Sequence, residues 1–478
     1  MALLISGATI LDGVADRPIA GRSIWIENGR IKAIGRAADF PALPSASVID
    51  AGGKYVIPGL LNANVHLLGD VRLENLTRYM GRYEELIVEA AQVALKNGLT
   101  TVFDTWGPRR PLTAVRDQIE AGRAIGSRIF CAGNIVGMEG PFSADFMPKA
   151  LEVASPALAQ KINAMWVENV GRHLMWQTPS NVAMEIRAYI SRRIDFVKYA
   201  SNEHFGTSAG AFLAFSPDVQ RAIVEEVHRA GLTAQAHTTS VEGLRLAVEA
   251  GCDLIQHANL TGPVPIPETT LDLMVSRRIG AVVFPSTRRG FEWIMQNVSE
   301  SMRTMMAASQ TNTERLIRSG APLLLANDGS VLAPEARSDT KFARITSGQP
   351  AEDNIYSLSD GHFVWLRAMQ EKGCAPMEML KAATRNIAKA YGKEKEIGTL
   401  EAGKIADLLV LGKNPLEDAG NYRAIEMVVK AGQVIDRNAL PTEPLLTKPM
   451  ERGEEEGTYV PFLAGDRSFP MCPLCMHR

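Results

Sequence analysis

Val56-Ile57-Pro58-Gly59-Leu60-Leu61-Asn62-Ala63-Asn64-Val65-His66 carries an apolar run straight into two side chains able to hold a metal ion. Alternate residues of an extended strand point to one face, so Asn64 and His66 leave this stretch together. That spacing alone is weak. It gains weight because four further candidates, Lys198, His237, His257 and Asp328, each fall at the end of a predicted strand of their own.

Working outward, residues 1–56 read as short strands separated by Gly and Asp/Asn turns: Leu3-Leu4-Ile5, Ser23-Ile24-Trp25-Ile26 before Asn28-Gly29, and Ile31-Lys32-Ala33-Ile34. From Ile57 the texture changes to apolar strands alternating with amphipathic helices, the pattern of repeated βα units around a parallel sheet. Ser216-Pro217-Asp218 is an N-cap followed by Pro at the first turn, and it opens a helix ending near Gly231. Ser240 opens the next, which Gly251 closes. About eight strands precede residue 330, the number that closes a (β/α)8 barrel, and in such barrels catalytic groups sit at the C-terminal strand ends. A helix is expected from Met377 to Tyr391. The runs Ile405–Leu411 and Met427–Gly432 then return to strands. The expected organisation is a β-sandwich built from residues 1–56 and 396–440, a barrel over 57–395, and a tail or arm over 441–478.

Bulk composition narrows the function. Charged residues make up 22% of the 478, with 53 acids against 51 bases, so nothing advertises nucleic acid or an anionic membrane as a partner. A small-molecule substrate fits better. No basic leader precedes an apolar segment at the N-terminus, and five cysteines, three of them scattered, make no disulfide framework; a cytoplasmic protein is expected. Cys472 and Cys475 have the spacing of half a zinc knuckle, and the acidic stretch before them reads as solvated or flexible.

Pro58-Gly59-Leu60 ahead of the Asn64/His66 pair resembles the first strand of the metal-dependent amidohydrolase superfamily. So do Ala383-Thr384-Arg385-Asn386-Ile387-Ala388, Ile397-Gly398-Thr399-Leu400-Glu401-Ala402-Gly403-Lys404-Ile405-Ala406-Asp407 and Asn414-Pro415-Leu416. The resemblance runs to about residue 437. It implies a distorted (β/α)8 barrel with a sandwich made from the two termini. It also implies two divalent ions, with zinc first and cobalt, manganese or iron as others that accept such donors. Asn64 and His66 then stand at the more buried metal, Lys198 bridges as a CO2-carboxylated side chain, His237 and His257 bind the second metal, and Asp328 is both ligand and catalytic proton shuttle. Homo-oligomers are usual in the family. Two positions depart from its pattern: Asn62 replaces an aspartate and Asn64 the first metal histidine. An Asn-x-His pair resembles a minor branch that includes phenylurea hydrolases and molinate hydrolase, which cleave herbicides.

The chemistry behind this assignment is general. Imidazole and carboxylate suit borderline divalent metals, and two metals acidify a water between them. A lysine ammonium has no lone pair, but its carbamate is an anionic oxygen ligand. Each residue also has a plainer reading: a lone buried histidine is usually structural, a lone lysine snorkels, and Asp328 before Gly329 could be a turn residue. Residues 138–180 and 288–310 interrupt the βα repeat and carry many aromatic and Met side chains, either as helix packing or as an apolar pocket roof. Trp166, Trp176, Phe284 and Trp293 are the candidate substrate contacts. The expected reaction is hydrolysis of an amide-like C–N bond, first in an N-aryl-N′-alkyl urea, giving an aniline. A thiocarbamate, a dipeptide or a cyclic amide are alternatives, as is a non-catalytic scaffold on the same barrel.

Overall fold

Gly59 divides the opening stretch between two sheets. The computed structural model describes residues 2–41, 46–147, 150–203, 212–332 and 353–448. Residues Tyr55–Pro58 (β5) belong to a sheet drawn from both ends of the chain, whereas Leu60–Val65 (β6) begins a parallel sheet. A Cβ on Gly59 would lie 2.2 Å from Thr100 Oγ1 and 2.4 Å from its Cγ2, so only glycine lets the chain pass this close to the neighbouring strand.

The terminal sheet contains β1 (Ala2–Ile10), β2 (Ile19–Glu27), β3 (Arg30–Gly35), β4 (Ser47–Asp50) and β5 from the N-terminal side. From the C-terminal side come β14 (Leu408–Leu411), β15 (Ile425–Lys430) and β16 (Gln433–Val434). The order is β16-β15-β14-β5-β1-β2-β3, with β4 branching off β1. The pairing is thus one continuous branched sheet, and Ile5, Ile10, Ile24, Ile26, Val56, Leu408 and Val410 share its separate apolar core.

Among the described residues, eight parallel strands carry the barrel. β6, β7 (Leu99–Asp104) and β8 (Arg128–Cys131) form one sheet. β9 (Phe196–Ala200), β10 (Thr233–His237), β11 (Leu254–Gln256), β12 (Gly280–Val283) and β13 (Leu323–Leu325) form the other. Single bridges join the two: Val136 to Tyr199 on one side, Val65 to Gly329 on the other. All of these strands but β8 are buried along their whole length, which is why they read as apolar runs rather than as alternating patterns. The helices follow their caps. Ser216 Oγ accepts from Val219 N ahead of the helix Pro217–Arg229, Ser240 Oγ accepts from Gly243 N ahead of Val241–Ala250, and Gly251 ends the latter at φ +87°.

The expected single helix from Met377 to Tyr391 is two, Pro376–Ala382 and Arg385–Ala390. The break is at Thr384, whose hydroxyl donates to the Leu380 carbonyl, and next to it the Ala383 carbonyl is taken by the Leu61 amide of β6 at 2.8 Å. Residues 138–180 are largely ordered as the helix Pro156–Val167 and the 3-10 turn Arg172–Trp176, pinned by Arg172 to Asp145 and Glu203. Residues 288–310 lie in two helices, Arg288–Asn297 and Glu300–Ser319, around a satellite core of Ile294, Met302 and Met306.

The start of the expected tail or arm is held to the barrel, whereas the acidic stretch expected to be solvated, residues 450–456, lies outside the described residues. The Glu89 carboxylate, buried in the helix Tyr83–Lys96, accepts from the amides of Leu445, Leu446 and Thr447 at 2.8–3.0 Å and from the Thr447 hydroxyl at 2.6 Å. One buried acceptor meeting several backbone donors leaves no periodic trace in the sequence. Cys472 and Cys475 lie outside the described residues. Among the described residues no helix is long and apolar enough to cross a membrane.

Replacing Gly59 by Ala is expected to lower stability by about 1–3 kcal/mol through overpacking against Thr100. Urea denaturation measures it, and adding Thr100→Ala should restore most of the loss.

Candidate active site

The six candidate residues sit near the C-terminal ends of the parallel strands, with one shift from expectation. Asn64 lies in β6 and His66 one residue beyond it; His237 ends β10; His257 follows β11; Asp328 lies three residues past β13. Lys198, expected at a strand end, is in the middle of β9, paired in register with Gln235. Its side chain reaches from deeper in the barrel, consistent with its 2% exposure. His257 and Asp328 adopt left-handed backbone at φ +56° and +51°. Such conformations cost roughly 1–2 kcal/mol in an L-residue and concentrate where surroundings impose them, functional sites above all.

Two groups of contacts organise the site. In the first, His66 Nε2 lies 2.8 Å from Asp328 Oδ1, and His66 Nδ1 lies 3.2 Å from the Trp106 carbonyl. A carbonyl only accepts, so Nδ1 carries a hydrogen; a carboxylate also only accepts, so the contact with Asp328 needs a second hydrogen on Nε2, which a metal would displace. In the second, Lys198 Nζ donates to Thr105 Oγ1 at 3.1 Å, Thr105 donates to Asn64 Oδ1 at 2.5 Å, and Asn64 Nδ2 donates to Gln256 Oε1 at 3.0 Å. The His237 and His257 rings meet edge to face, 4.8 Å between centroids. Asn62, at the other departure from the family pattern, donates to Asn327 Oδ1 at 2.7 Å and ties β6 to the turn bearing Asp328.

Burial and charge compete here. Burial pulls the Lys198 amine down to about 8 from 10.5, although the Asp328 and Asp104 carboxylates push it back up. Burial raises Asp328, but His66, His257 and Lys198 outweigh it and hold the carboxyl below its ordinary value. Asp104 goes the other way: burial lifts it to about 7 despite His66 and the backbone amides of Leu67 and Trp106.

Among the described residues, no three His, Cys, Asp or Glu side chains meet as a ready-made metal set. Within the candidate set His66 pairs with Asp328, and the His237 and His257 rings meet. An amide oxygen and an amine complete a divalent-metal site only if the lysine becomes an oxygen ligand. A dry amine with no carboxylate at ion-pair distance among the described residues, and with a substantial neutral fraction near pH 8, is suited to take up CO2. The donor set therefore fits divalent ions.

The candidate substrate contacts separate. Phe284 lies 5.2 Å from the His257 ring, centroid to centroid. Trp166 is fully buried behind Trp106, at 6.1 Å. Trp293 packs on the satellite core, and Trp176 is 88% exposed. The nearer aromatic wall was not foreseen: Trp106 meets His66 edge-on at 5.8 Å and is itself stacked by Phe146 at 4.0 Å. Asp104, Thr105 and Gln256 also escaped notice, though polar residues at the ends of β7 and β11 were the available signal.

The amidohydrolase family profile matches residues 55–435. Among solved structures, that of molinate hydrolase is 38% identical with a TM-score of 0.87, covering 95% of this chain and 98% of that one. Phenylurea hydrolase B is 35% identical with a TM-score of 0.88, covering 94% and 100%. Among sequence relatives, the imidazolonepropionase of Geobacillus kaustophilus (strain HTA426) is 25% identical over 437 residues, 87% of this chain and 90% of its own length.

The depressed Lys198 value carries a linkage consequence. Between about pH 8 and 10.5 the folded lysine has lost its proton while the unfolded one keeps it, so stability rises with pH through that window. In chelator-treated protein in CO2-free buffer, the rise should exceed that of Lys198→Met, as followed by denaturant midpoints.

Proposed function

The chain belongs to the amidohydrolase family, and on that premise we propose that it hydrolyses an amide-like C–N bond in a small, largely apolar substrate, an N-aryl-N′-alkyl urea first. The chain is a hydrolase, and its superfamily generally uses metal ions. One observation carries the finer reading: a largely buried His66/Asp328 pair, with His66 edge-on to the Trp106/Phe146 wall, and a buried Lys198-Thr105-Asn64 chain. The 35% identity to phenylurea hydrolase B supports the urea class. The 38% identity to molinate hydrolase supports a thiocarbamate as the second reading.

In this reading Asn64, His66, carboxylated Lys198, His237, His257 and Asp328 hold two divalent ions, zinc or another metal that accepts the same donors. When bound, the ions supply a water acidic enough to attack at neutral pH and a polarised substrate carbonyl. Carboxylation joins the Lys198 nitrogen to the carbon of CO2 and releases one proton. Asp328 accepts the proton of the attacking water and returns it to the leaving nitrogen, since an aniline does not depart as an anion. Trp106 and Phe146 hold the aryl ring and exclude bulk water. The urea plus one water gives an aniline and a carbamic acid.

Elemental analysis of the purified protein should find transition metal, and Lys198→Ala should lose most of it. On a panel of aryl ureas, thiocarbamates and dipeptides scored for amine release, ureas should lead. Asp328→Ala should cut turnover by about 10²–10⁴-fold; full turnover in that variant removes the proton-shuttle role. Phe146→Ala should raise KM for aryl ureas by roughly 10-fold, in line with losing about 1.4 kcal/mol of apolar contact, and leave that for an aliphatic urea nearly unchanged.

A further inference from the structure

An imidazole offers a metal one kind of atom, nitrogen, whereas an amide offers a lone pair from its oxygen end only; turned round, it points two hydrogens at the cation. If Asn64 is a metal ligand, as the proposed function has it, something must decide which end faces the site. We propose that Gln256 is the positioning residue that does so, and that it makes Asn64 an oxygen donor.

The argument follows a run of buried hydrogen bonds whose two ends cannot exchange roles. At one end, Lys198 Nζ donates to Thr105 Oγ1 at 3.1 Å, which leaves the Thr105 hydrogen for Asn64 Oδ1 at 2.5 Å. At the other end is the backbone carbonyl of Ala63, which only accepts. Gln256 Nε2 donates to it at 3.3 Å, and Tyr391 Oη stands 2.8 Å from it. Gln256 Nε2 also lies 2.5 Å from Gln235 Oε1, which Tyr391 Oη approaches at 3.2 Å. Asn64, Gln235, Gln256 and Tyr391 are all buried, so bulk water does not compete for these partners.

Reversing Gln256 would set its oxygen against the Ala63 carbonyl, two acceptors face to face. Its Nε2 therefore stays on Ala63, its Oε1 faces Asn64, and only Asn64 Nδ2 can meet it, at 3.0 Å. The Asn64 oxygen is thereby turned to the Thr105 side, where it accepts one hydrogen and keeps a second lone pair. The Ala63 end is backbone, so this polarity survives whatever Lys198 carries. A histidine at position 64 needs no such device, and the device accompanies the residue that does.

The test is a double-mutant cycle read by metal affinity. Metal-free full-length protein is titrated with cobalt(II) in competition with a chelator. Gln256→Leu should weaken cobalt binding about 10–100-fold, the range for losing an outer partner of a ligand. In an Asn64→Asp background, where either carboxylate oxygen serves, the same change should leave affinity equal or improve it. In Asn64→Ala, where no ligand remains to orient, it should add no further loss. An equal loss in all three backgrounds means that Gln256 acts through packing and overturns the inference. Tight cobalt binding in wild type that Gln256→Leu leaves intact also overturns it, while sparing the metal reading. Wild type that takes up no cobalt overturns both.

Discussion

The backbone seam between residues 64–66 and 328–329 is the constraint on which the site depends. Asp328 N donates to the Asn64 carbonyl at 3.0 Å and His66 N to the Gly329 carbonyl at 2.9 Å, and the Val65/Gly329 bridge lies between them. These few bonds join the first barrel strand to the segment after the last. They also decide that His66 Nε2 meets Asp328 Oδ1, because both side chains spring from the two sides of the same seam. Asn62 and Asn327 reinforce it one step deeper, and Asn327 Oδ1 takes the Gly329 amide as well. Closing the fold and assembling half the site are one event.

Burying this much polarity is costly unless each group is answered. The answers form two systems. On one side a carboxylate, Asp328, gathers the positive fields of His66, His257 and Lys198. On the other, neutral amides and hydroxyls are threaded from Lys198 through Thr105, Asn64 and Gln256 to a backbone carbonyl. Lys198 belongs to both, and its position in mid-strand rather than at a strand end lets it reach between them.

The alternation of strands and helices, the caps at Ser216 and Ser240 and the contribution of both chain ends to a β unit were legible because each rests on a local signal: strand period, capping residue or turn glycine. What was not legible depends on neighbours distant in sequence. Gly59 splits its stretch because Thr100 stands beside it. The helix at Met377 breaks where a barrel amide claims its carbonyl. Trp106 and Phe146 become a wall only when a loop residue stacks on a strand-end residue, while Trp176, equally aromatic in sequence, is left in solvent. Five of the six candidates lie near the strand ends at which the sequence put them and Lys198 does not, while Thr105 and Gln256, which hydrogen-bond to Asn64, carry no motif of their own.

The Glu89 clamp has a practical corollary. A carboxylate sealed beneath residues 445–447 is tolerable only while those amides cover it. Trimming the polypeptide before Leu445 would strip away its donors and strand an anion on a helix that lines β7, so any shortened version intended for handling or fusion should retain the chain through Thr447.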